Sequence, residues 1–332
     1  MSMRRAAGLT RRGACGALVA LALGASGLGA GAARAEEGDG QPLVLALYAP
    51  TAPLASADAR FALVDKLAQK LTAAGVPAQG KVFARASDLE AAIKRGQVDL
   101  AVLDPLWVAD RGMGYPALAV ATSAGEAQLR WGLYTHLPSG NILDMQNKAL
   151  AWVSPTSVGT TKEKDAAYVA NVLLYGELKA TYFSLRPSAP DMAAAVSEVA
   201  LRRADCVFAP EQAVQGKSLR RVYDAGEGGR IPNPVLVQVS TKLSEATLQT
   251  VKRVVSNYSA PGVLDGWKTT GSVADTLRTL RNRLRGRAER SLVLAEPPRL
   301  YTPVNSGMIA SPPLAPQLPS LRALLAAPEG IP

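Results

Sequence analysis

The feature that most constrains this chain is an internal echo, in which two stretches run through the same order of strand, Pro-Thr turn, helix and strand. In the first, Leu43 to Tyr48 reads as a strand that runs into Pro50-Thr51. After a helical stretch, Ser87-Asp88-Leu89-Glu90-Ala91-Ala92-Ile93 leads to a second strand, Asp99-Leu100-Ala101-Val102-Leu103, which ends at Asp104-Pro105. In the second, Ala149 to Val153 runs into Pro155-Thr156, and Pro190-Asp191-Met192-Ala193-Ala194-Ala195-Val196 leads to Asp205-Cys206-Val207-Phe208-Ala209-Pro210. From Asp88 to Asp99 is 11 residues and from Asp191 to Asp205 is 14, which predicts about one more helical turn in the second copy. Alternating strands and helices argue for mostly parallel sheets. Two such copies predict two α/β lobes facing each other across a cleft.

The first residues stand outside that pattern. Arg4, Arg5, Arg11 and Arg12 form a positive start, the run from Ala14 to Leu28 is apolar and small, and Ala33-Arg34-Ala35 fits an A-x-A cleavage site. Residues 1–35 therefore read as a secretory signal peptide cleaved before Glu36, which implies an exported protein. The stretch is short of the roughly 20 apolar residues of a spanning helix. Thr10-Arg11-Arg12 leaves Sec and twin-arginine export both open. Without the five arginines of the leader, the formal net charge falls from +10 to +5, so the basic balance is largely targeting and not nucleic-acid affinity. The rest of the excess lies in Arg278, Arg281, Arg283, Arg285, Arg287 and Arg290, spaced as the solvated face of a helix. The remaining cysteine, Cys206, lies in an apolar strand and reads as a buried, inert thiol. A mature chain of about 300 residues is long enough for two domains.

The rest of the chain divides into residues 36–130 as the first part of lobe one, 131–234 as lobe two, 235–290 as a return to lobe one, and 291–332 as a Pro-rich tail. Asp58 to Ala74 predicts an amphipathic helix with Phe61, Val64, Leu67 and Leu71 on its buried face, stopped by Gly75. Lys81 to Ala84 reads as a short strand, and Ser87 as the N-cap of a helix that Gly96 closes. Leu129 to His136 and Val235 to Val239 read as two hinge strands crossing between lobes, with the helices from Ser244 to Arg287 packing back on the first lobe. The tail, with Pro297-Pro298, Pro312-Pro313, Pro316 and Pro319, is an extended wrap or a disordered extension.

Chemistry concentrates in Ser154-Pro155-Thr156-Ser157-Val158-Gly159-Thr160-Thr161, between a buried-type strand and a helix carrying Ala167, Val169, Val172 and Leu173. A helix start offers free N–H groups and the positive end of a dipole, and Ser and Thr hydroxyls add donors, so the turn suits an oxyanion. Simple N-capping needs only one of those hydroxyls and remains the alternative. In open α/β sheets ligands sit beyond the carboxyl ends of strands, which brings three more turns to the same crevice: Tyr48 to Ala52, Asp104 to Trp107, and Ala209 to Gln212. Tyr48 and Trp107 would supply aromatic walls, Thr51 a hydroxyl, and Asp104 or Glu211 an acceptor. Trp107 serves equally as packing against the sheet, and Asp104 equally as a cap for a helix beginning at Pro105.

Enzyme signatures are scarce. A single histidine, His136, excludes a histidine-based zinc cluster, and no Gly-x-Gly-x-x-Gly, Walker-type loop or Gly-x-Ser-x-Gly is present. No cofactor or metal is implied. Nucleic-acid modules are likewise absent, because the four Phe show no interleaving with Lys and Arg.

In the order and spacing of Ser87 to Ile93, Gly96-Gln97-Val98-Asp99-Leu100-Ala101, Asp104-Pro105-Leu106, the Ser/Thr turn, and Ala204-Asp205-Cys206-Val207, the chain resembles the type 2 periplasmic substrate-binding proteins. Within them it is most similar to the phosphate/phosphite/phosphonate-binding branch of ABC importers. The resemblance implies a bilobed, non-catalytic protein that closes over a small anionic solute and hands it to an inner-membrane permease. It maps the anion-holding hydroxyls onto Thr156, Ser157 and Thr160, and the family's aromatic residue after the third strand onto Trp107. Where family members carry a Ser-His pair, Arg186-Pro187-Ser188 has no histidine, leaving Arg186 as an anion partner or as an exposed surface residue. A second functional class stays open: an envelope sensor or scaffold ectodomain that uses the Pro-rich tail for protein contacts.

Overall fold

The computed structural model describes residues 41–155, 162–174, 176–225, 230–269 and 273–285. The chain begins with β1 (Leu43–Tyr48), α1 (Ala57–Ala73), β2 (Ala78–Val82), α2 (Ala86–Lys94), β3 (Leu100–Leu103), α3 (Pro105–Arg111) and β4 (Ala117–Thr122). It continues through β5 (Gln128–Leu129), β6 (Trp131–Thr135), β7 (Ala149–Ala151), α4 (Lys162–Tyr168), β8 (Ser184–Leu185), α5 (Met192–Ala200), β9 (Cys206–Pro210), α6 (Glu211–Val214) and β10 (Arg220–Asp224). It ends with β11 (Ile231–Pro232), β12 (Val235–Gln238), α7 (Glu245–Ser256), β13 (Gly266–Lys268) and α8 (Val273–Leu284).

These strands form a six-stranded sheet, β13-β4-β12-β3-β1-β2, a five-stranded sheet, β10-β6-β9-β7-β8, and a ribbon of β5 with β11. The second sheet takes all its strands from one continuous stretch, whereas the first gathers its strands from both sides of it. The echo in the sequence is a repeat in space: β2-β1-β3 and β8-β7-β9 are parallel triplets in the same order. The remaining pairings are antiparallel, so each sheet is mixed, and parallel only where the βαβ units build it.

Matching aspartates start the third strand of each triplet. Asp99 accepts from the N–H of Val44 at 2.9 Å, and Asp205 accepts from that of Ala149 at 2.8 Å, fixing the register of β1 and β7. The expected extra helical turn is absent, because α2 and α5 each have nine residues. Asp191 is the N-cap of α5 and accepts from the N–H of Ala194, whereas Asp88 lies inside the first turn of α2. The two aspartates are therefore not equivalent, and the offset between them is the whole of the spacing difference.

Local signals place the helix ends. Ser56 caps α1 and Ser244 caps α7 through their hydroxyls, while Gly75 and Gly96, at φ +88 and +67, follow the ends of α1 and α2. Ser87 is not a cap: Arg85 occupies that position, without a side-chain bond. The short strand expected at Lys81 to Ala84 starts and ends earlier, as β2. Phe61 faces solvent, and Leu63 joins Val64, Leu67 and Leu71 on the buried face of α1.

The strand expected from Leu129 to His136 breaks at Arg130. The crossing between sheets is the β5–β11 ribbon, after which β6 joins the second sheet and β12 the first. Beside the ribbon the buried Asn233 donates from its N–H to the carbonyl of Ala127 and from Nδ2 to that of Glu126, both at 2.9 Å.

One buried apolar cluster packs α1 and α7 on one face of the first sheet. A second runs from the other face, through α3 and α8, into both faces of the second sheet without interruption. Helix α7 packs on the first lobe as expected, while α8 touches α3 and β4 and also the π-helical turn Val169–Leu173 that follows α4. Arg283 on α8 is buried, which corrects its place on a solvated face; Arg278 is exposed and bonded to Asp275 at 2.6 Å. Cys206 is buried in β9, and burial, with the neighbouring charge of Asp205, pushes its thiol up to about 12. Among the described residues no helix is long and apolar enough to cross a membrane.

Candidate functional site

The carboxyl ends of β1 and β3 in the first sheet, and of β7 in the second, meet at one seam. Each of these strands is apolar and covered on both faces, so its last residue delivers the chain to the same edge. The Tyr48 hydroxyl crosses the seam and donates to the carbonyl of Pro155 at 2.9 Å. The N–H of Met192, at the start of α5, donates to the carbonyl of Pro50 at 2.9 Å, so the first lobe satisfies a free donor of a second-lobe helix. Arg60 on α1 pairs with Asp191 across the same line. The lobes are in contact along this seam.

Asp104 ties the two first-lobe turns together. Its main-chain N–H donates to the carbonyl of Tyr48 at 2.7 Å, and its carboxylate accepts from the N–H of Leu106 at 3.0 Å, capping α3. The same carboxylate accepts from the N–H and the hydroxyl of Thr51 at 3.0 and 2.5 Å. Burial raises the Asp104 pKa above 3.8, against the opposing pull of the bonds from Thr51, Leu106 and Trp107. Thr51 and Asp104 thus stand at the expected turns and bond to each other, and Asp104 takes the helix-cap alternative that the sequence left open.

Trp107 follows on α3, 2 % exposed, and its indole N–H is buried without a hydrogen-bond partner. The ring lies against Gly112, where a Cβ would come within 3.0 Å of it. Across the seam, Ser154 is buried and its N–H donates to the hydroxyl of Ser188 at 2.7 Å, joining the turn after β7 to the loop before α5. Thr156, Ser157, Thr160 and Thr161 lie outside the described residues, as do residues 1–40 and the tail from 286.

Two more of the expected site residues are exposed. Arg186 is exposed with its side chain 3.8 Å from Glu198, and its carbonyl accepts from the Trp152 indole at 2.8 Å. Glu211 is exposed and 3.9 Å from Arg221. Arg186 thus takes the exposed-surface alternative that the sequence left open, and both residues have an oppositely charged neighbour.

Tyr168, at the end of α4, was not among the sequence candidates. It is 7 % exposed, its ring is 5.8 Å from that of Trp152, and its hydroxyl is buried without a partner. Burial and the charge of Asp104 hold its phenol well above the usual value of 10, which keeps the proton on the oxygen. The signal lay in spacing: Tyr168 and Val172 are four apart on one apolar helix face, and a buried tyrosine brings a polar tip with it. Among the described residues no group of three or more His, Cys, Asp or Glu is placed to hold a metal.

A family model described as the phosphonate periplasmic substrate-binding protein of ABC transporters matches residues 48–276, a span that includes every turn of the seam. No curated protein sequence matches the chain. Among solved structures, the chain resembles a binding-protein component of an ABC phosphonate transporter from Pseudomonas aeruginosa, at 13% identity and a TM-score of 0.54, over 76% of this chain and 90% of the other. It also resembles PhnD1 from Prochlorococcus marinus in complex with methylphosphonate, at 11% identity and a TM-score of 0.54, over 74% of this chain and 98% of that one. Likeness at such low identity speaks for the two-lobed fold alone.

Proposed function

This chain belongs to the periplasmic substrate-binding proteins of the phosphonate ABC transporters, and from that premise we propose that it captures a small phosphonate- or phosphate-like anion between its lobes. The family is one of transport proteins and not of enzymes. The observation that carries the reading is the meeting of the β1, β3 and β7 turns at one seam; the N–H of Trp107, which follows β3, has no acceptor among the described residues. A buried donor without a partner costs about 1–3 kcal/mol, which an oxygen of the solute would offset. The matched family is one of phosphonate-binding proteins, which supports the ligand class.

In this reading residues 36–130 with 235–290 form one lobe and 131–234 the other, and the β5–β11 ribbon is the hinge. Closure brings donors from both lobes onto the solute, so binding favours the closed state. Thr156, Ser157 and Thr160 supply hydroxyls at the start of α4, Tyr48 and Trp107 wall the site, and a permease receives the solute from the closed form. Residues 1–35 are removed on export, which the mass of the exported protein checks.

The test is calorimetric titration with methylphosphonate and inorganic phosphate, beside thermal melting. Replacing Thr156 and Ser157 together by Ala weakens binding by about 1–3 kcal/mol for each ligand oxygen left unpaired. A wild-type protein that neither anion binds nor stabilises overturns the proposal.

A further inference from the structure

Trp107 belongs to the site as the family defines it; Tyr168 does not follow from that definition. It stands at the end of α4, in the second lobe. The ring lies against that of Trp152, the oxygen is buried, and among the described residues no group accepts its proton. The nearby carboxylate of Asp104 already accepts from the Thr51 N–H, the Thr51 hydroxyl and the Leu106 N–H. Trp107, whose N–H also has no acceptor among the described residues, belongs to the same apolar cluster, which spans both sheets. A buried phenol held against Trp152, directly after β7, with no described acceptor is a donor left for an oxygen of the solute.

We propose that Tyr168 is a ligand-contacting residue of the second lobe, donating its phenol proton to an oxygen of the bound anion. The inference rests on the solute-binding reading and adds to it a residue outside the hydroxyl-rich turn. It has a physical signature that a packing role lacks. A hydroxyl that waits for a ligand costs stability while the ligand is absent, so its removal improves the empty protein and harms the loaded one.

The experiment compares wild type, Tyr168→Phe and Val172→Ala, each as the full exported chain, by thermal melting and by calorimetric titration with methylphosphonate and inorganic phosphate. Tyr168→Phe keeps the ring on Trp152; its ligand-free midpoint is expected about 2–4 °C higher and its affinity about tenfold to a hundredfold lower. Val172→Ala removes packing four residues along the same helical stretch and gives the effect of loosening alone. Unchanged affinity in Tyr168→Phe overturns the inference while leaving the solute-binding reading in place. Affinity lowered no more than in Val172→Ala also overturns it, since the loss is then one of packing. If neither anion binds the wild type, both proposals fall together.

Discussion

At Asp104 a carboxyl group accepts from two turns at once while none of its surface reaches water. Burial is the largest influence on it and raises its pKa above 3.8 in the folded chain. A carboxyl that holds its proton more tightly when folded adds stability fully below pH 3.8, and that contribution is lost as pH rises through the folded value. The melting midpoint of wild type minus that of Asp104→Asn is therefore expected to fall as pH is raised from about 4, then to level off. A difference that grows with pH would mean that the bonds from Thr51, Leu106 and Trp107 outweigh burial. The residue type was legible in the sequence, where Asp before Pro reads as a helix cap. Its bond to Thr51 was not, because the two are 53 positions apart and meet only through the pairing of β1 with β3. Tyr168 was hidden for a related reason: a tyrosine on an apolar helix face looks like core until its oxygen is found without a partner.

Among the elements, periodicity and caps were readable wherever one element decides its own limits. Helix α7 begins at Ser244, whose hydroxyl accepts from the N–H of Thr247 at 3.1 Å, as its sequence indicates. Ser87 carries the same signal and does not cap, since it sits one residue inside α2. The pair makes a direct test: Ser244→Ala should destabilise the protein by about 0.5–2 kcal/mol, and Ser87→Ala should change it by less than about 0.5 kcal/mol, both measured by urea unfolding. The break at Arg130 was not readable, because strand propensity runs straight through it. What interrupts the strand is a change of partner, from β11 on one side of Arg130 to β9 and β10 on the other. Likewise the aspartate spacing looked like an extra turn until the helices were seen to be equal.

On the scale of the molecule, duplication was legible and closure was not. Among the described residues, bonds across the seam join Tyr48 with Pro155, Met192 with Pro50, and Arg60 with Asp191. Two of them use main-chain atoms, which no side-chain pattern announces. Asp191 also caps α5, so Arg60→Ala isolates the clasp better than any change at Asp191. The ligand-free Arg60→Ala protein is expected to be more open, with a larger radius of gyration in small-angle X-ray scattering; an unchanged radius would show that the other two bonds hold the lobes together. Where β12 lies has a last consequence, for the making of the protein. Every strand of the five-stranded sheet has been synthesised once Asp224 appears, whereas β3, apolar on both faces, must wait for Val235–Gln238 to cover its open edge. A chain that emerges from its amino end therefore completes its middle first, and until then carries a naked strand that invites the wrong neighbour.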